Sequence, residues 1–464
     1  MRNALIKRFV SGALNNSSRS FRSRSSIAAA AASSAAASNS SPPFLFSSSR
    51  RYAVAATLAE EEAETVVFPR EGPGVSYGLN WALAGRGVVV KDKAFHNLKS
   101  SELQQKGATT AESLSGIPVH VRGNIVGGAS EISKAQFSKL LKQACPSSVT
   151  THLSSISNVF VHDGAVGSSS KCDAKVRVVS DSPSAVLSLS NVLWNTPTRA
   201  VSHDSCPLTV YVASTISSNT GETIGLGSQS NTGFVAADIE RASLILCGKA
   251  FSDTKSIKDT LAALAGPVIS ARDGLPLSAR LVVSGDSVVL LFGPEDIIKS
   301  FSELPADAGV VLSSNGVAPM FQTGDSSVPS LFKLPAAVIF ASADSTGSIP
   351  SVSQLSPGQA AYHFLAGYQN GKFVPAYSKG PSAVDPLELA KALLSKLKDN
   401  QIPSFLVNIN DGQKPVTGKD LVKLVQSTLS KSVPPFEPKA GDLQGKYQSF
   451  ISGKYQELPE EFSF

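Results

Sequence analysis

Residues 288–301, VVLLFGPEDIIKSF, bring together the residue types that could hold a nucleotide's phosphates. A short apolar run leads to Gly293, and Lys299 and Ser300 follow at the spacing of a phosphate-binding loop. Such a loop needs glycines, because several consecutive N–H groups must turn toward the phosphate oxygens in conformations costly for residues bearing a Cβ. Here the interior holds Pro294, Glu295, Asp296, Ile297 and Ile298. Pro294 has no N–H to donate, Glu295 and Asp296 repel phosphate, and β-branched Ile298 resists a positive φ. The stretch therefore reads either as a broken phosphate loop or as an ordinary strand-to-helix turn.

Other groups with chemical capacity are scattered. His203-Asp204 stands beside Cys206, Asp344 follows an apolar run, and His363 lies in the apolar AYHFLAGY. None forms a metal-ligand or nucleophile–base spacing by itself, and His363 reads as a core histidine. Gly225-x-Gly227 lacks both the leading strand and the third glycine of a dinucleotide fingerprint, so 215–234 reads as a polar surface loop. Cys145, Cys172, Cys206 and Cys247 form no CxxC and are expected to be small buried apolar side chains.

The elements that must position these groups begin after an unusual N-terminus. No Asp or Glu precedes Glu60, while eight Lys and Arg do, so the net charge of +6 falls to −2 for the remainder. A nearly neutral body argues against nucleic acid as a partner. The first 52 residues are rich in Arg, Ser and Ala, with Leu5, Ile6, Phe9, Val10 and Ala13 at helical spacing. That is the make-up of an organelle transit peptide, and the Arg50-Arg51-Tyr52 step favours mitochondria, with a location on the matrix side. No apolar run approaches the ~18 residues of a transmembrane helix.

A linker over 53–76 leads into two expected mixed α/β regions, 77–242 and 243–440, and a tail over 441–464. Strand-like runs stand at 158–162, 174–180, 208–214, 336–342 and 404–409, interleaved with helical patterns at 99–106, 130–145, 359–368, 385–398 and 418–429. The helix over 385–398 is well signalled, with Asp385 as cap, Pro386 in the first turn and Leu389, Ala390, Leu393, Leu394 and Leu397 on one face. The repeated GKYQ of the tail, at Gly445 and Gly453, reads as two turns of a docking helix.

The order of these segments resembles the ATP-dependent phosphoenolpyruvate carboxykinase family. NLKSSEL from Asn97 is similar to that family's NLSPAEL, VFVHD from Val159 and KVRVVS from Lys175 to its VFVND and KVRIVS. VIFASAD ending at Asp344, with Gly347, Pro350 and the YHFLAGY from Tyr362, resembles its VIFLTADAFGVLPPVS and YHFLSGY. The resemblance runs over roughly residues 77–430 and implies the carboxykinase fold: two mixed α/β lobes with a degenerate phosphate loop. Within the family it implies decarboxylation and phosphorylation of oxaloacetate by ATP, with Mg²⁺ and Mn²⁺.

The family's functional positions fall on other residue types here. Gly293 to Phe301 occupies the place of GLSGTGKTT, keeping Gly293, Lys299 and Ser300 and losing the later glycines. The substrate-loop arginine falls on Val121 beside Arg122, the paired lysines near Ser256 and Ile257 between Lys255 and Lys258, and the metal-binding histidine near Leu277. The nucleotide-site arginine falls on Lys414 and its threonine near Leu421. Between Ser300 and Ala336 the chain is too short for the family's acidic metal box and its second substrate arginine. Phosphoryl transfer rests on positioning and charge neutralisation. The expectation is therefore a protein that is not an enzyme, with Asp344, Gly347 and Pro350 as framework, no resident cofactor or metal, and weak ATP/Mg binding at most. Its expected role is as an accessory or scaffold subunit with protein partners in a mitochondrial assembly. A nucleotide-binding regulator using Gly293, Lys299 and Ser300 is the alternative, and an active carboxykinase a third.

Overall fold

The β-branched and aromatic runs of the described residues pair into four sheets in the computed structural model. It describes residues 71–462 apart from 124–128, 143–147, 197–205, 217–219, 227–231, 285–286, 295–296, 299–308, 323–329, 378–379, 411–422, 425–426, 428–431 and 438–441. Pro73–Phe464 is one compact unit.

The first sheet contains β1 (Lys93–His96), β2 (Val119–Arg122), β3 (Ser130–Glu131), β4 (Asn158–Val166), β5 (Ala174–Ser180), β6 (Trp194–Asn195), β7 (Leu208–Ala213), β8 (Gly233–Asp238) and β9 (Ser243–Gly248). Its order is β1-β4-β5-β7-β9-β8-β2-β3, with β6 beside β4. Because side chains alternate along a strand, Val178, Val210, Val212, Leu244 and Leu246 enter one core, under helices Pro183–Ser190 and Thr254–Ser270. Val179, Tyr211, Ala213, Ile245 and Cys247 enter a second, on the opposite face, with residues of helices Tyr77–Gly85, Lys134–Lys142 and Val149–Ser155.

The expected division after residue 242 falls within the β8–β9 hairpin. Ala242 adopts φ 48° in its turn, Asp238 pairs with Ser243, and both strands belong to the first sheet. Gly233 is demanded here: its φ is +145° and a Cβ would lie 2.2 Å from the carbonyl oxygen of Cys247.

A three-stranded antiparallel sheet follows, β10 (Leu275–Leu277), β13 (Val310–Ser313) and β14 (Gly316–Pro319). It joins the two halves through the period-two alternation of its side chains. Val311 and Ala318 pack into the first-sheet core, while Val310, Leu312 and Val317 pack into the core of the second half.

The last large sheet is built from β11 (Arg280–Ser284), β12 (Ser287–Phe292), β15 (Ala337–Ser342), β16 (Val352–Leu355) and β19 (Ser404–Asn408), in the order β11-β12-β15-β19-β16. β12, β15 and β19 run parallel at its centre, and a hairpin of β17 (Gly367–Gln369) and β18 (Lys372–Val374) packs nearby. Leu290, Phe292, Val338, Phe340 and Leu406 face helices Pro357–Leu365 and Pro386–Asp399, and Val289, Leu291, Ile339 and Val407 line the other face. Asp385 caps the second helix by accepting from the Leu387 N–H at 2.7 Å.

Helix Leu443–Lys454 holds the tail against this half through Leu443, Tyr447 and Ile451. Tyr447 is fully enclosed, at ring-centroid distances of 5.2 Å from Tyr362 and 4.5 Å from Phe373. Full burial of each such side chain is worth about 1.5–3 kcal/mol. No helix among the described residues is long and apolar enough to cross a membrane.

Candidate site at the carboxyl edge of the second sheet

Three parallel strands end side by side, since Phe292 pairs with Phe340 and Ser342 with Asn408. Gly293, Ala343-Asp344 and Ile409-Asn410 thus leave the sheet along one edge, where open α/β sheets place their ligands.

Gly293 is closely packed, with a Cβ there falling 3.3 Å from the Cβ of Ala341. The Ile298 N–H donates to the Pro294 carbonyl at 3.0 Å, and Ile297-Ile298 are helical. Ile297 and Ile298 are buried in the same core as Val289, Leu291 and Ala341. The amide of Ile298 is engaged by its own turn, and the two isoleucines serve packing. Glu295, Asp296, Lys299 and Ser300 lie outside the described residues.

Asp344 is wholly buried, and its carboxylate organises the loop over 344–349. One oxygen accepts from the Thr346 N–H at 3.1 Å and hydroxyl at 2.6 Å. The other accepts from the amides of Ser348 and Ile349 at 2.9 and 3.0 Å. Four donors fill the acceptor capacity of a carboxylate, so Asp344 builds a loop rather than offering an open ligand position. Gly347 takes φ +76° in that loop, which ends at Pro350. Asn408 fastens it to β19, its Oδ1 accepting from the Asp344 N–H at 2.9 Å and its Nδ2 donating to the Asp344 carbonyl at 2.8 Å. Ser345 donates through N–H and hydroxyl to Asn370 Oδ1 at 3.0 and 3.1 Å. Ser345, Thr346 and Gly347 are exposed. The result is an exposed ledge whose Ser345 and Thr346 hydroxyls are engaged by Asn370 and Asp344.

The remaining sequence-derived positions are distributed elsewhere. Val121 is buried in β2, and Arg122 bonds Asp238 at 2.8 Å and Glu240 at 2.6 Å. Ser256 is held by the helix cap Asp253, Ile257 is buried, Lys255 pairs with Asp259 at 2.7 Å and Lys258 stands 5.8 Å above the Phe321 ring. Leu277 is buried in β10. His203, Asp204, Lys414 and Leu421 lie outside the described residues. Cys172, Cys206 and Cys247 are buried and form no disulfide among the described residues, Cys145 lies outside them, and burial, then the charge of Asp181, push the Cys247 thiol up. His363 is in the core, with Nδ1 3.3 Å from the Tyr447 hydroxyl and its ring edge-on to Phe436, and burial pushes its pKa down to about 3. Among the described residues no three His, Cys, Asp or Glu side chains gather as a metal site.

Two polar clusters in the first sheet were not foreseen. Asp163 accepts from Arg177 Nε at 2.7 Å and Nη2 at 2.8 Å, with His96 Nε2 3.0 Å away. Burial alone would raise the Asp163 carboxyl, but Arg177 and then His96 hold it far below the usual carboxylate range. Asp181 accepts from the Ser214 and Thr215 amides at 2.9 and 3.2 Å, with His152 Nε2 at 3.0 Å. The signal for the first was present as an Asp in one strand and an Arg in the next; the register Asp163↔Arg177 joins them.

Comparison with known proteins places the ledge in a matched region. The family model described as "Phosphoenolpyruvate carboxykinase" matches residues 315–421. Curated relatives named phosphoenolpyruvate carboxykinase (ATP) include one from Christiangramia forsetii, 36% identical over 93 residues, covering 17% of this chain and 18% of the relative. One from Flavobacterium johnsoniae is 32% identical over 87 residues, 16% of each protein, and one from Bacillus cereus 28% identical over 115 residues, 22% of each. The aligned stretches span about a fifth of these relatives' length or less. They overturn the expectation that the chain is not an enzyme: the matching family and relatives are enzymes, and no finding shows that activity has been lost. The substituted positions that prompted that expectation lie mostly outside the matched stretch.

Proposed function

Because the chain belongs to the ATP-dependent phosphoenolpyruvate carboxykinase family, we propose that it uses the family framework as an accessory or scaffold subunit of a mitochondrial assembly. The observation that carries this reading is helix Tyr77–Gly85. Its inner face buries Leu79, Ala82 and Leu83, while Gly78, Trp81, Ala84 and Gly85 are exposed without a charge among them. Trp81 is 77% exposed and Val89, just beyond the helix, 65%. An exposed Trp on an uncharged face has the character of an interface anchor. The acid-free, Arg-, Ser- and Ala-rich first 52 residues support the mitochondrial location, matrix-side or membrane-associated. Native gel separation of mitochondria followed by mass spectrometry, with wild type and Trp81→Glu compared, tests it. The subunit should migrate with a larger assembly and Trp81→Glu should release it; migration of the wild type at its own size counts against the reading.

A second reading is supported by the ledge at the carboxyl edge of β12, β15 and β19 and by the relatives' printed name. In it the protein is a nucleotide-binding regulator that uses Gly293, Lys299 and Ser300 to bind ATP. Calorimetry with ATP and Mg²⁺ tests this, and Lys299→Ala should weaken binding. The relatives' activity extends to this chain as a proposal on the same footing, tested by turnover of oxaloacetate with ATP against a heat-inactivated control.

A further inference from the structure

Among the described residues β11 pairs with β12 alone, which makes it the edge strand of the five-stranded sheet. The hairpin register closes at Ser284↔Ser287, leaving two residues for the connection. In such a hairpin the pair flanking the turn exchanges both hydrogen bonds and the pairs then alternate. Arg280, Val282 and Ser284 therefore direct their N–H and C=O groups to β12, and Leu281 and Val283 direct theirs outward. Natural sheets guard such an edge with Lys, Pro or a bulge. β11 reads RLVVS, has no Pro and carries one charge, at its start.

The apolar character continues beside the edge. Val283 is 47% exposed. It pairs with Val288, whose carbonyl accepts from the Ala336 N–H at 2.7 Å. Two residues earlier stands Leu334, and Leu331 and Leu334 are also exposed. Val283 and Leu334 thus stand near the same end of this sheet, while Leu331 stands beside Phe332, which bridges to Val317 of the three-stranded sheet.

We propose that the outer edge of β11 is a self-association surface, on which a second copy of this chain adds its own β11, antiparallel, about a two-fold axis at Val282. The register is self-complementary. Leu281 of one copy comes opposite Val283 of the other, and both direct their N–H and C=O groups outward, so each such pair exchanges two hydrogen bonds. Arg280 comes opposite position 284, which keeps the two guanidinium groups apart. An isologous contact of this kind closes on itself and leaves no further edge at β11.

Sedimentation equilibrium of the full chain from about 1 to 100 μM tests this, and a monomer–dimer equilibrium is expected. Val283→Pro removes an outward N–H without touching the β11–β12 ladder, since edge strands tolerate proline where the N–H faces solvent. It should weaken the dimer on the order of 10-fold or more through the two lost bonds, with unchanged circular dichroism. If Val283→Pro disturbs folding, Val283→Lys, at an exposed position, should give the same loss by placing a charge opposite Leu281, whereas Val283→Thr should dimerise as the wild type does. A wild type that stays monomeric throughout the range overturns the proposal. So does a dimer that neither Val283→Pro nor Val283→Lys weakens.

Discussion

Asp163→Asn tests the most deeply buried arginine among the described residues. Arg177 is 1% exposed, yet it carries a full charge matched by a bidentate bond to Asp163 across the β4–β5 pair. The change keeps the side-chain volume and removes the countercharge, leaving a buried guanidinium. Breaking such a pair costs about 3–5 kcal/mol, far more than an exposed pair, whose loss costs about 1 kcal/mol or less. Replacing both partners, as in Asp163→Leu with Arg177→Met, should restore most of that loss, because no uncompensated charge remains. Urea unfolding at fixed slope reads the difference. The pH dependence has a definite sign: the folded Asp163 carboxyl lies below its unfolded value, near 3.9. Its contribution is present above that value and lost as the pH falls below it, so the gap between wild type and Asp163→Asn should narrow below about pH 4. A loss under about 1 kcal/mol at neutral pH, or a double replacement as damaging as the single one, would refute the reasoning.

Other consequences can be measured on the same protein. His363 is buried with its pKa pushed down to about 3, below the ~6.5 of an unfolded histidine. Stability should therefore fall by a few kcal/mol as pH drops from about 6.5 toward 3, and His363→Phe should flatten that part of the unfolding profile. Tyr447→Ala removes the side chain on which the tail helix is anchored and should cost about 3–5 kcal/mol, seen as a lower denaturation midpoint. Gly233→Ala forces a Cβ against the Cys247 carbonyl and should cost about 2 kcal/mol or more, read in the same assay. Asp344→Ala removes the acceptor of four donors and should loosen the loop over 344–349, detected as faster amide exchange at Ser348 and Ile349.

Strand and helix types were legible wherever periodicity and end signals agreed. Helix Pro386–Asp399 begins at the proline that the Asp385-Pro386 pair announces, and β15 and β19 occupy the apolar runs at 336–342 and 404–409. In 130–145 helical spacing masked a short strand, Ser130–Glu131, ahead of helix Lys134–Lys142, because two residues establish no period. The small central sheet was illegible for a related reason. β10 has three residues, and its pairing with β13 depends on partners some thirty-five positions away. At the site, the spacing from Gly293 to Lys299 suggested phosphate chemistry. The stronger signal for the described part of that stretch was Ile297-Ile298, which pack into the core beside Val289 and Leu291. Asp344 was legible as framework, but the hydroxyl and amide donors that fill it come from a non-periodic loop, invisible to pattern reading.

The central claim is that this carboxykinase-family chain works within a mitochondrial assembly. Its most direct test is native gel separation of mitochondria carrying tagged wild type or Trp81→Glu, with the bands identified by mass spectrometry. The wild type is predicted in a band much larger than twice its 48.3 kDa, with other polypeptides, and Trp81→Glu at the size of the free chain or its dimer. Wild type found only at monomer or dimer size would contradict the account, whatever the outcome at β11.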